Sequence, residues 1–439
     1  MSDAPTPDVT AMAPDAAIVG WSFETLQTTT VRVIDRDLEA TTLRAHRPDG
    51  GRSYLLFVRA GAGPRPVVVM EQPYDAIDWT GEDVDARWAA RGPGLHPDDE
   101  APDYDGNDVI AYAAPVSISD AANQNAVHLL NGSSVVLAYA RFYAGGDLED
   151  DVLDASAPFH FVASRPEDFD SSRIAVFGGS WGGLMTLFGA ARAPEGARPT
   201  TLTPISPPSD LADIVRWATV DLPAVFPEPA RAEAFFSPYL RRIRHATGGD
   251  PDDVPDAYAR YSRLALCEGI TGRVLVAHDD WDTLVPVRQT ESFEAACPER
   301  VSAVYWRRPE PIDYAEAGLD HGLFGREPGF PTPFTFALAR IALGNAGAEP
   351  ALLAMGHQPA IETFLGTVRE AQRTGSPTDY ALAPMRDLLD PRLILFDPVL
   401  EMGVSSQEVT TAAINAVWGT TLTPAEARAA LETGFPPAP

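Results

Sequence analysis

IAVFGGSWGGLMTLFGAARA, residues 174–193, joins a short apolar run to a glycine-framed serine and then to a second apolar stretch of helical length. IAVF suits a strand buried on both faces, and LMTLFGAARA reads as a helix. Between them, Gly178-Gly179-Ser180-Trp181-Gly182 fits G-x-S-x-G, whose glycines allow a tight strand-to-helix turn that lifts the serine hydroxyl above a sheet. The five residues alone are a weak signal, since a glycine-rich turn can hold an inert serine. Their place between strand and helix gives them weight and makes Ser180 the candidate nucleophile.

Outward from that turn the chain alternates strand and helix. TTTVRVID (28–35), ATTLRAHR (40–47) and RSYLLFVRA (52–60) alternate in polarity, as antiparallel edge strands should. PVVVM (66–70) and SVVLAYARF (134–142) are continuous apolar runs, TTLTPIS (200–206) is a further strand, and RVLVAH (273–278) and VSAVYWR (301–307) resume the pattern. Helical stretches such as DAANQNAVHLL and DVLDASAPFHFVAS separate them, which implies a mostly parallel central sheet with helices on both faces. Residues 211–267 break the rhythm with aromatic and proline-rich helical sequence and read as a cap insertion; PFTFALARIAL (333–343) reads as the closing helix. The expected organisation is a flexible lead-in at 1–17, an α/β core at 18–345 and a helical C-terminal extension at 346–439, where Thr423, Pro424 and Glu426 make a capping box.

A serine hydroxyl needs a base, and the base needs an acid to fix its tautomer. His278-Asp279-Asp280-Trp281-Asp282-Thr283-Leu284-Val285-Pro286 sets acidic residues just beyond a buried strand, ahead of a helix that Pro286 could begin. His321, in GLDHGLFG, follows the last strand-like run in a glycine-flanked loop. His278 lies beside the acid and reads as loop trim, His245 lies in the arginine-rich part of the insertion, and His357 lies beyond the core.

These segments resemble the α/β-hydrolase superfamily, whose acid loop commonly reads H-G-x-x-D-x-x-V-P and whose triad runs Ser, acid, His along the chain. Asp282, Val285 and Pro286 match; Asp279 departs by replacing the glycine, which keeps Asp279 and Asp280 as reserve acids, with Asp210 a fourth choice. The resemblance implies Ser180, Asp282 and His321 as a catalytic triad and the Trp181 N–H as one oxyanion donor. After PVVVM there is no HGGG-type motif; Pro73-Tyr74 resembles the R-x-P-Y segment of the cocaine-esterase and X-Pro dipeptidyl-peptidase branch, which implies the Tyr74 hydroxyl as the second donor, against a plain turn role. Glu71 stands where that branch has arginine, and nothing after His321 resembles its β-rich C-terminal domain.

Composition narrows the rest. A formal charge of -29 disfavours nucleic acid and anionic membranes as partners. All 33 basic residues are arginine, which removes Ser-Lys dyads, Schiff-base lysines and pyridoxal anchors. Two cysteines, Cys267 and Cys297, argue against a disulfide framework and a thiolate zinc site. The acidic runs 97–108 and HDDWD lack calcium-loop spacing and read as solvated faces, so no metal and no cofactor are expected. With no cationic start followed by an apolar run and no membrane-length apolar stretch, a cytoplasmic enzyme is expected.

The expected function is a serine hydrolase cleaving a carboxylic ester through an acyl-enzyme. A peptidase or aminopeptidase of the same fold is the alternative, and a non-catalytic binding protein on that scaffold the second. The expected partner is a small-molecule ester or amide, with a homo-oligomer left open. Trp217, Phe226, Phe235 and Phe236 of the insertion are expected either to line a substrate pocket or to anchor the insertion on the core.

Overall fold

Val67, Val68 and Val69 are all buried, on both faces of one strand, and the rest of the molecule is arranged around that strand. The computed structural model describes residues 20–33, 36–71, most of 117–142, 148–306, 311–321 and all but one of 421–426. Among the described residues nine strands form one sheet: β1 (Ser22–Val33), β2 (Arg36–His46), β3 (Arg52–Arg59), β4 (Arg65–Glu71), β5 (Ser134–Tyr139), β6 (Phe169–Gly179), β7 (Thr201–Ile205), β8 (Arg273–Asp279) and β9 (Val301–Trp306). Their order is β1-β2-β3-β5-β4-β6-β7-β8-β9. The first three pair antiparallel and β3 joins β5 antiparallel, while β5, β4, β6, β7, β8 and β9 run parallel. The expected alternation fails in β3: Tyr54 to Val58 are all buried, shared between the two faces, because this strand lies inside the sheet between β2 and β5 and is covered on both sides.

Alternation along β4 divides the core. Val67 and Val69 face a cluster that includes Leu148, Val152, Phe159 and Leu184, from α2 (Leu148–Asp154), α3 (Ala157–Ala163) and α4 (Ser180–Ala191). Val68 and Met70 face the other cluster, with Ala121 and Ala122 of α1 (Ile118–Asn123). Helices therefore cover both faces of the sheet, as parallel strands with crossover connections require.

Between β7 and β8 run α5 (Leu211–Arg216), a π-helical turn (Trp217–Asp221), α6 (Leu222–Val225), α7 (Pro229–Thr247), α8 (Pro255–Ala259) and α9 (Arg263–Gly269). Asp210 caps α5 by accepting the Asp213 N–H, at 3.1 Å. Pro229 opens α7, and Gly248 ends it in the left-handed conformation with φ 86°, which glycine adopts without steric cost. Next come α10 (Arg288–Ala296), just past Pro286, and α11 (Tyr314–Ala317). At 421–426 the expected capping box forms: the Thr423 N–H donates to Glu426 Oε2 at 2.8 Å, and the Glu426 N–H to Thr423 Oγ1 at 3.4 Å. The lead-in at 1–17, the acidic run at 97–108, the closing helix at 333–343, His357 and nearly all of 346–439 lie outside the described residues.

One expectation needs correcting. Cys267, in α9, and Cys297, which follows α10, are joined as a disulfide with their Cα atoms 5.8 Å apart. Two isolated cysteines gave no framework signal; the bond arises because the ends of two helices meet beside the sheet, which spacing along the chain does not reveal. A bond of this kind persists in oxidising surroundings and is rare in cytosolic proteins. Thiol titration of the unreduced, denatured chain should find no free cysteine. Reduction should lower the unfolding free energy by about 3–4 kcal/mol, the chain-entropy value for a loop of this length. Two reactive thiols before reduction would contradict the bond.

Candidate active site

Ser180 begins α4 directly after β6, and its backbone φ is 51°. A non-glycine residue in the left-handed region is held there by its surroundings at a cost of roughly 1–3 kcal/mol, and such residues gather at functional sites. The neighbouring glycines permit the turn. A Cβ on Gly178 would lie 2.5 Å from the Gly182 carbonyl oxygen, and one on Gly183 would lie 3.3 Å from the Pro207 side chain. The strand end and the helix start therefore approach more closely than a side chain would allow.

The acid loop leaves the carboxyl end of β8, two strands away from that turn. Asp282 is buried, and its oxygens divide their work. Oδ1 accepts the Leu284 and Val285 N–H groups at 3.0 and 2.7 Å, while Oδ2 lies 2.9 Å from His321 Nδ1 and 3.5 Å from His278 Nε2. Burial alone would raise the Asp282 pKa; the charge of His321 and the hydrogen bonds from His278 and His321 bring it down to about 2. For His321, burial disfavours the charged ring, but the Asp282 charge and hydrogen bond outweigh it and lift the pKa above the ordinary 6.5. A carboxylate can only accept, so His321 Nδ1 carries a proton in either state, and in the neutral ring Nε2 presents a lone pair. The ring is 30% exposed on its side-chain surface, so it reaches solvent while its acid does not.

The other acid candidates are engaged elsewhere. Asp279 Oδ1 accepts the Trp281 N–H at 2.8 Å. Asp210 caps α5 and receives Arg263 at 2.7 Å. Asp280 is half-buried beside them. His278 is fully buried between Thr290 Oγ1 at 2.6 Å and the Val285 carbonyl at 2.8 Å, which braces the loop as its sequence position suggested.

On the opposite flank, Trp181 turns its indole into the core. It stacks on Phe142 with ring centroids 4.3 Å apart, and its Nε1–H donates to Asp151 Oδ2 at 3.3 Å. Asp151 Oδ1 accepts the Phe142 N–H at 2.9 Å, so one buried carboxylate holds both rings of the stack. The Trp181 N–H lies in the first turn of α4, the terminus whose N–H dipoles favour a developing anion. Glu71, at the end of β4, is buried, and its carboxyl is pushed well above the usual range by burial and by the nearby Asp151 and Asp154 charges. Tyr74, the expected second donor, lies outside the described residues.

The insertion aromatics separate into two kinds. Trp217, Phe226 and Phe236 are buried members of the main core, whereas Phe235 is 37% exposed and stacks on Tyr239 at 5.8 Å. Large rings on helix faces turned toward a sheet bury most area by packing, and the first three do so. Two further residues escaped the sequence reading. Ser206 follows β7 level with Ser180, buried, with φ 44°. Thr283 links the acid loop to the His321 loop through several hydrogen bonds. No motif marks either one.

Sheet order, the strained serine between β6 and α4, and an acid after β8 bonded to a histidine after β9 define an α/β-hydrolase fold. No family model and no curated protein matches the chain. Among solved structures it is similar to the acetyl xylan esterase of Paenibacillus sp. R4, at 16% identity over 70% of this chain and 89% of that one, with a TM-score of 0.43. Acetyl xylan esterase 1 of Thermoanaerobacterium sp. JW/SL YS485 gives 16%, 69%, 86% and 0.41, and a puromycin hydrolase gives 16%, 65%, 35% and 0.39. Among the described residues no helix is long and apolar enough to cross a membrane, and no cluster of metal-ligating side chains occurs.

The raised His321 pKa yields a signed test. The protonated ring stabilises the fold fully below pH 6.5, and that contribution fades as pH rises through the folded value. An NMR titration of the His321 ring should show a midpoint above 6.5 in the wild type. In Asp282→Asn the midpoint should fall, because burial then acts unopposed. Identical midpoints in the two proteins would show that the pair does not form.

Proposed function

We propose that the chain is a serine hydrolase that cleaves a neutral or cationic carboxylic ester through an acyl-enzyme. The observation that carries the reading is the 2.9 Å bond between His321 and a fully buried Asp282, on the same edge of the sheet as a serine held at positive φ. A solvent-reaching imidazole with its Nδ1–H committed to a buried carboxylate is arranged to receive a proton at Nε2.

His321 Nε2 takes the Ser180 proton as Oγ bonds to the ester carbonyl carbon, and the carbonyl electron pair moves onto oxygen. The Trp181 N–H, at the amino end of α4, supports that oxyanion. Collapse of the adduct breaks the bond to the alkoxy group, which leaves as the alcohol with the proton from Nε2. Water then repeats the sequence on the acyl-enzyme, and Ser180 is restored. The formal charge of -29 repels anionic substrates such as acyl-coenzyme A at long range, hence the neutral or cationic class.

Ser180→Ala should abolish covalent labelling by a fluorophosphonate and leave only the small residual rate supplied by the oxyanion site. Undiminished turnover by that variant would remove the proposal. Asp282→Asn should lower kcat by about 10⁴, as expected when the imidazole loses the acid that sets its tautomer, with a far smaller effect from Asp279→Asn. An ester panel with aminoacyl amides as the comparison arm identifies the bond cleaved.

For the insertion, Phe235→Ala should change the kcat/KM ratio between bulky and short esters. Phe226→Ala and Phe236→Ala should instead cost about 3–5 kcal/mol of stability, the usual range for a buried Phe, and leave that ratio alone. The reverse pattern would return the pocket role to the buried pair.

A further inference from the structure

Thr283 stands one residue past Asp282, fully buried, and each of its polar groups is engaged. Its N–H donates to the Asp320 carbonyl at 3.0 Å. Its hydroxyl lies 2.7 Å from the Gly318 carbonyl and 3.1 Å from the Asp320 carbonyl, and accepts the Asp320 N–H at 3.0 Å. Its own carbonyl accepts the Trp217 indole N–H at 2.9 Å. The hydroxyl has one proton to give, and the shorter Gly318 contact takes it. Asp320 directly precedes His321 and fixes that residue's backbone, its Oδ1 accepting the His321 N–H at 2.8 Å.

Trp217 opens the π-helical turn, where its carbonyl accepts the Leu222 N–H five residues on. Single π turns inside helices recur at functional sites because the widened turn redirects side chains. Arg288, in the helix after the acid loop, lies over the Trp217 ring at 5.2 Å and pairs with Asp213 at 3.0 Å and Asp221 at 2.7 Å. The insertion is thus fastened to the acid loop and to the helix behind it, and Thr283 passes that attachment on to the loop carrying the base.

We infer that Thr283 is a positioning residue for His321 and that Trp217 extends this function into the helical insertion, so that the base is held in register by the segment between β7 and β8. The inference rests on the reading of Ser180, His321 and Asp282 as the reacting set. Among the described residues the His321 ring has one side-chain bond, to Asp282, and rotation or a shift of its loop would misdirect Nε2. Displacements on the order of 1 Å in a catalytic group can cost about a hundredfold in rate. Among the described residues the charged and titratable groups around the ring are Asp282, Asp320 in its own loop and His278 behind Asp282; Thr283 changes none of their charges, so its effect is one of position.

The test compares Thr283→Val, Thr283→Ser and Trp217→Phe in the full chain. The readouts are fluorophosphonate labelling rate, kcat and KM on p-nitrophenyl acetate, the pH profile of kcat/KM, and Tm. Thr283→Val keeps the buried shape and loses the hydroxyl; labelling rate and kcat should fall about tenfold, consistent with two net hydrogen bonds, with KM nearly unchanged. Its acid limb should move to lower pH as His321 loses register with Asp282. Thr283→Ser should restore most of the rate, and Trp217→Phe should give a smaller fall, of about threefold for one bond, with the same displacement of the limb. A lower Tm in Thr283→Val with wild-type labelling and an unmoved limb would overturn the inference, as would a Thr283→Ser variant as impaired as the valine. If Thr283→Val does not fold, Trp217→Phe decides: unchanged labelling and limb overturn it. Absence of Ser180 labelling in the wild type is a distinct result that removes the triad reading itself.

Discussion

Burying a carboxylate costs several kcal/mol unless its lone pairs are satisfied, and the carboxyl edge of this sheet is organised around doing that for Asp282. Two backbone N–H groups hold one oxygen, and His321 holds the other, with His278 Nε2 3.5 Å from it. The N–H donors come from Leu284 and Val285, so the loop must curl back on its own acid before α10 begins. His278 points at the same carboxylate from inside β8, and His321 must come from beyond β9. The carboxylate is thus the common partner of three stretches of chain.

The serine side is organised by the opposite device, strain in place of satisfaction. Ser180 is kept at positive φ because β6 and α4 pack closely enough that Gly178 touches the Gly182 carbonyl. The indole of Trp181 is locked between Phe142 and Asp151, which fixes the first turn of the helix from within the core. In the proposed acyl transfer a preorganised turn would lose little on reaching the transition state, so rigidity here would serve the same end as the hydrogen bonds at Asp282.

How far the sequence could be read depended on whether a feature was periodic or relational. PVVVM and IAVF announced central strands because burial on both faces leaves no polar alternation; by the same rule YLLFV of β3, buried on both faces, marks an interior strand and not the edge expected of it. Asp282 stood out from its acidic neighbours only through the Val285-Pro286 ending. Other features depend on pairs far apart in the chain: Asp151 with Trp181, Thr283 with Gly318 and Asp320, Cys267 with Cys297. Each of those residues is locally unremarked, and a threonine between an aspartate and a leucine carries no pattern. The insertion aromatics were read correctly as too many for a solvated surface. Sequence could not divide them, because Phe235 and Phe236 are adjacent and only the helix rotation decides which one faces the core.

That rotation bears on how substrate choice and chemistry can coexist in one insertion. The buried side of the 211–247 segment carries Trp217, Phe226 and Phe236, and through Trp217 it is bonded to the loop of the acid. The other side carries Val220, Val225 and Phe235 in the open. Substitutions on the exposed side leave the bond to Thr283 intact, so surface contacts can change without moving His321. Substitutions on the buried side act on packing, and at Trp217 also on the bond to Thr283. Separate faces of the same helices therefore leave the exposed side chains free to change while the contacts at Asp282 and His321 stay fixed.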